Sequence, residues 1–109
     1  MIFIKILMIY LVSLAVTLST RVKSQFKKDL KKAIRDPKKN TDLLKELIQT
    51  YLVNNIILPE QYKPHKLVGE WRPHMECHIQ ADFLLIWDID EQMNELILVR
   101  CGRHSELFG

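Results

Sequence analysis

The sequence predicts an α+β domain in which two N-terminal helices pack on a twisted antiparallel β-sheet. Three observations carry this expectation. Apolar residues recur at helical spacing through residues 24–52; three apolar β segments separated by turn chemistry follow from residue 75; and the helices precede the strands instead of alternating with them. At 109 residues the chain suffices for one domain with a buried core.

The first helix is expected from Ser24, a plausible N-cap, with Phe26, Leu30, Ala33 and Ile34 along one stripe. Asp36-Pro37 stops it, because the residue before proline is pushed out of the helical region. Thr41 can cap a second helix whose stripe is Leu43, Leu44, Leu47, Ile48, Tyr51 and Leu52, closed by Asn54-Asn55. The segment ILPEQYKPHKLVGEWRPH reads as a loop leading into a strand. The β candidates are MECHI, FLLIWDI and ELILVRC, joined by a short Gln80-Ala81-Asp82 connection and a polar one from Asp88 to Asn94.

The net charge of +3 conceals an asymmetry. Residues 21–39 hold nine Lys/Arg against Asp29 and Asp36, whereas residues 40–109 carry six basic and eleven acidic side chains. A local basic face suits a polyanion or an acidic protein partner, or is simply a solvated helix face. Cys77 and Cys101 are too few for a disulfide scaffold, and no metal-finger spacing exists. Residues 1–18 are nearly all apolar, but the thirteen from Ile6 to Leu18 fall short of the ~20 that span a bilayer. They fit a secretory h-region with cleavage at Ser13-Leu14-Ala15; alternatively the true start lies near Val16, with a short strand. Both readings make residues 1–15 an apolar extension and residues 16–109 the domain.

His65, His78, Asp82, Arg100 and His104 come from four segments that a strand meander can bring to the sheet face left open by the helices. Each alone has a structural explanation. Together, imidazoles beside a guanidinium suit phosphodiester cleavage: one group takes the proton of a ribose 2′-OH, another protonates the departing 5′-oxygen, and the arginine stabilises the phosphorane. Zinc is the competing reading, weakened by a His78/Asp82 spacing that straddles a turn.

The motifs YK.H.L.G.W (residues 62–71), ECHI..D (76–82) and L.R.G.HSELF (98–108), preceded by the helical hairpin, closely resemble the YafQ-like branch of the RelE/ParE toxin superfamily. The resemblance implies a RelE-like fold and the toxin of a type II toxin–antitoxin pair. It further implies a ribosome-dependent mRNA endonuclease with no cofactor or metal, acting in the cytoplasm, away from membranes. Its partners would be a cognate antitoxin, the ribosome and mRNA. Carried over motif by motif, it makes His104 the general-acid candidate, with His65, His78, Asp82 and Arg100 completing the catalytic set. Phe83 stands where a stacking aromatic, often tryptophan, follows the aspartate, and Phe108 is the tail aromatic. Ala81 replaces a frequent proline, and Arg103 replaces a small hydroxyl residue and could contact RNA phosphate. Lys27, Lys28, Lys31 and Lys32 are the expected RNA-binding face. The alternatives are a gyrase-inhibiting superfamily member, which would not need acid/base residues, and a small exported binding protein, which would leave the tail cluster unexplained.

Overall fold

A computed structural model of the chain describes residues 17–71 and 74–109; the expectations for residues 1–15 lie outside the described residues. Strand β1 (Ser19–Val22) leads into helix α1 (Ser24–Ile34) and helix α2 (Thr41–Leu47), which runs on into a π-helical turn at Ile48–Leu52. Strands β2 (His65–Lys66), β3 (Met75–Gln80), β4 (Phe83–Asp90) and β5 (Glu95–Gly102) follow, and a short helix α3 (His104–Phe108) ends the chain. The sheet order is β1-β5-β4-β3-β2. Among the described residues no helix is long and apolar enough to cross a membrane.

The sheet is antiparallel except at one edge, where β1 runs parallel to β5. No hairpin joins these two strands, so nothing forces the antiparallel sense, and β1 is bracketed by Ser19 N–H on Asn94 O at 3.0 Å and Lys23 N–H on Leu98 O at 3.0 Å. The helix starts also differ by one residue from the expected caps. Ser24 is already helical and its predecessor Lys23 makes no side-chain cap. Asn40, not Thr41, caps α2, because its side chain accepts the Leu43 N–H at 3.0 Å.

The run FLLIWDI became strand β4, and its lack of alternation has a physical cause: both of its faces are covered. Phe83, Leu85 and Trp87 join Phe26, Ala33, Leu44 and Leu47 in the main core beneath the helices. Leu84 and Ile86 point the other way and pack against Leu107 of α3, with Leu67, Val99 and Phe108 around them. The tail helix is therefore the lid of a second, smaller core.

A five-residue helix has little stability of its own, since nucleation is unfavourable and few bonds follow it. Three fasteners hold α3. Asp82 accepts the His104 N–H at 3.0 Å, Leu107 enters the second core, and Glu106 folds back to accept the Arg103 N–H at 2.7 Å. Glu106 is also bonded to Lys39 Nζ at 2.7 Å and Lys32 Nζ at 2.6 Å. These lysine contacts are the main reason its carboxyl is held at about 2, below the ordinary 4.5. Because the folded value is depressed, the stabilisation is complete above about pH 4.5 and is lost as pH falls through about 2. Glu106→Gln should therefore cost on the order of 2 kcal/mol at pH 7, allowing for the exposure of Lys32. Urea unfolding across a pH series should show the parent and variant converging towards pH 2.

Candidate active site

The antiparallel register lays one row across the second face of the sheet: His65 opposite Glu76, Glu76 opposite Ile86, and Ile86 opposite Arg100. Directly opposed residues share a face, and so do residues two apart on one strand, which adds His78 beside Glu76. This is the face on which α3 lies, through the contact of Leu107 with Leu84 and Ile86. The sheet and the tail helix thus bring His65, Glu76, His78 and His104 to one side of the molecule.

Glu76 sits at the centre of this group. It is only 5% exposed, with Oε1 at 3.1 Å from His65 Nε2 and 3.9 Å from His78 Nε2, while its buried Oε2 has no hydrogen-bond partner. The Nδ1 of His65 faces the Lys63 carbonyl at 2.6 Å, so both nitrogens of that ring face acceptors. His78 differs. Its Nδ1 lies 3.4 Å from the Ala81 carbonyl, and its Nε2 is beyond hydrogen-bond distance of the nearest carboxylate. The two imidazole centroids are 6.2 Å apart.

On α3 the exposed His104 ring lies 4.9 Å from that of Phe108, one helical turn later. Asp82 reaches this residue through the backbone N–H and no imidazole nitrogen. Its observed contact holds the start of α3.

Arg100 stands in the row, yet its guanidinium turns to α1, where Nε meets Asp29 Oδ2 at 2.7 Å and Nη2 meets Oδ1 at 3.3 Å. The same Asp29 Oδ2 accepts the Cys101 N–H at 3.1 Å. Beyond Val22, β1 no longer covers the edge of β5, and Asp29 satisfies that edge in its place. Arg103, whose role the sequence left open, is likewise paired, Nη2 to Asp36 Oδ2 at 3.1 Å. Lys27, Lys28 and Lys31 lie exposed on α1, but Lys32 is bound to Glu106.

The expectation for Phe83 is corrected. At 1% exposure its ring is part of the main core and offers no surface to a base, because the first residue of β4 points to the helix side of the sheet. Both cysteines are buried free thiols. Burial, then Glu76 beside Cys77 and Asp29 beside Cys101, pushes each up to about 12, so neither is a nucleophile.

Sequence reasoning missed Glu76, Asp29, Lys39 and Glu106. Glu76 had a signal: a carboxylate inside an otherwise apolar strand, two residues from a histidine, is rarely buried without a partner. Asp29 and Glu106 had none, since their partners lie 71 and 67 residues away. Asp29→Ala should destabilise the protein by about 2–4 kcal/mol, since it strands a half-buried guanidinium and orphans the Cys101 N–H. Arg100→Ala should cost less, because Asp29 keeps its backbone donor. Urea unfolding of both variants checks the ranking, and the reverse order would refute this account of the edge.

Among the described residues no group of three or more His, Cys, Asp or Glu is arranged to hold a metal ion. The mRNA interferase toxin YafQ of Escherichia coli K12 is 36% identical over 87 residues, 78% of this chain and 89% of the relative. The putative toxin YafQ of Haemophilus influenzae is 44% identical over 57 residues, half of this chain and 56% of that protein. Among solved structures, the YafQ chain of the E. coli DinJ-YafQ toxin-antitoxin complex superposes with a TM-score of 0.75 at 33% identity, covering 86% of this chain and all of that one. A copper-bound mutant toxin from Helicobacter pylori gives 0.75 at 38% identity, over 84% and 99% of the two chains. The family described as the bacterial toxin of a type II toxin-antitoxin system, YafQ, matches residues 18–109, and the chain belongs to it.

Proposed function

We propose that this toxin is an endoribonuclease that cuts mRNA on the ribosome by metal-independent acid/base catalysis, with residues 16–109 as the toxin domain and the cytoplasm as its place of action. The observation that carries the reading is the buried Glu76 carboxylate between two imidazoles, on the face where α3 presents a third. The mRNA interferase name of the E. coli relative supports the same activity. The E. coli toxin-antitoxin complex supports a cognate antitoxin as the partner that restrains it.

In this mechanism His78 is the general base. The Ala81 carbonyl favours a proton on Nδ1 and leaves the Nε2 lone pair for the ribose 2′-OH. As the proton moves to Nε2, the 2′-oxygen bonds to phosphorus, and the imidazolium charge is stabilised by the Glu76 carboxylate. The bond from phosphorus to the 5′-oxygen breaks, with His104 donating a proton to the leaving oxygen. The products are a 2′,3′-cyclic phosphate and a 5′-hydroxyl end. Arg100 stands in this row of the sheet and is assigned to the phosphorane charge, for which its guanidinium exchanges Asp29 for the phosphate, and Phe108 braces the His104 ring.

His104→Ala and His78→Ala should each lower the cleavage rate ~10²- to 10⁴-fold with the fold intact. Glu76→Gln, which keeps shape and removes charge, should fall between these variants and the parent. Mapping of mRNA 5′ ends within reading frames, with purified ribosomes, measures all three, and a folded His104→Ala protein cutting at the parental rate would overturn the acid assignment. Lys27, Lys28 and Lys31 belong to binding. Replacing all three by glutamine should weaken ribosome association and flatten its salt dependence by up to about three counterion equivalents, read from the slope of log Kd against log salt.

A further inference from the structure

We infer that Lys39 and Glu106 are positioning residues for His104: their part-buried ion pair sets the orientation of α3 and so the place of the imidazole on that face. The inference rests on the nuclease reading above. Among the described contacts on α3, Asp82 holds a single N–H at the helix origin, and Leu107 and Phe108 are apolar contacts that fix no single direction. Glu106 removes that freedom. Its Oε1 receives Lys39 Nζ and the Arg103 N–H, both at 2.7 Å, and its Oε2 receives Lys32 Nζ. Donors from α1, from the loop between the helices and from the chain before α3 therefore converge on one carboxylate.

Lys39 gives this contact its rigidity. The residue is 8% exposed, with Nζ 5.9 Å from the Phe83 ring centroid, at the range of a cation–π contact. Its loop is clamped on both sides, since the Gln80 side chain accepts the Asn40 N–H at 2.7 Å and donates to the Lys38 carbonyl at 3.2 Å. The end of β3 is thereby connected through this loop to the tail helix. Gly102 makes room for the carboxylate: a Cβ there would lie 3.2 Å from Glu106 Oε1, at a φ of +155° that side chains avoid. A buried ion pair is a poor way to add stability, because apolar residues of the same volume often do as well or better. What the pair supplies is direction, and on this helix direction decides where His104 stands.

The test measures kcat, ribosome affinity and the NMR resonances of the His104 and Phe108 rings in Lys39→Met, Glu106→Gln, the double variant and Lys39→Arg. Lys39→Met and Glu106→Gln should each lower kcat ~10- to 100-fold, the penalty of a displaced reacting group, with ribosome Kd unchanged. Both should shift the His104 and Phe108 ring resonances, since the rings now lie 4.9 Å apart. The double variant should be no worse than the weaker single one, and Lys39→Arg should recover most of the rate. Parental kcat and parental ring resonances in either folded variant would overturn the proposal, as would a rate loss that only tracks the unfolded fraction. If Lys39→Met does not fold, the near-isosteric Glu106→Gln decides alone. Failure of the nuclease reading is separable: it would appear as undiminished cleavage by His104→Ala, whereas the ring resonances report positioning without reference to catalysis.

Discussion

His104 stands on a helix too short to sustain itself, and the arrangement of the functional face depends on that helix being held against the sheet. The main core does not do this, because it lies on the other side of the sheet. Among the described residues the second face has Leu84, Ile86 and Leu107 as its buried apolar side chains, a small area for burial to act on at about 25 cal/mol per Å². Polar contacts supply the remainder, and apart from the local Arg103 N–H they come from parts of the chain distant in sequence. The β3–β4 turn contributes Asp82 and the interhelical loop contributes Lys39. Local unfolding of the tail would therefore remove the acid candidate while leaving the main core standing.

The charges of α1 and the following loop form a docking pattern for the C-terminal strand and tail. Acidic residues on the helical side, Asp29 and Asp36, receive Arg100 and Arg103; basic ones, Lys32 and Lys39, receive Glu106. The sign alternates along Asp29, Lys32, Asp36 and Lys39, and sliding this segment by a turn would set Glu106 against Asp36 or Arg103 against Lys32, which specifies one register. Part of the basic character visible in residues 21–39 is consumed inside the molecule. Lys23, Lys27, Lys28, Lys31, Arg35 and Lys38 remain exposed, a smaller cationic face than the composition suggests.

The elements legible in the sequence were those governed by local rules. Helical stripes, the Asp36-Pro37 stop and the β segments from Met75 onward follow from periodicity and turn chemistry within windows of about ten residues. The motif histidines were legible through family resemblance. Pairing of β1 with β5, by contrast, joins segments about 75 residues apart and is decided by sheet completion, which no window reveals. The misreading of Phe83 has the same origin: its place in the motif suggested exposure, while the register of β4 directs it into the core. Arg103 appeared as a loose cation because Asp36, its partner, belongs to another element.

Glu76 shows most directly how folding and chemistry compete on this face. A buried carboxylate oxygen without a donor costs about 1–3 kcal/mol, more when charged, and a valine at this strand position would avoid the cost. The two imidazoles on either side change the balance. A proton arriving on His78 Nε2 would create a cation 3.9 Å from Oε1 of the buried carboxylate. On the proposed mechanism the carboxylate is better satisfied once His78 has taken its proton than in the resting protein, where Oε2 has no partner. That difference between the two states, and not the static contact with His65, is what a catalytic site requires.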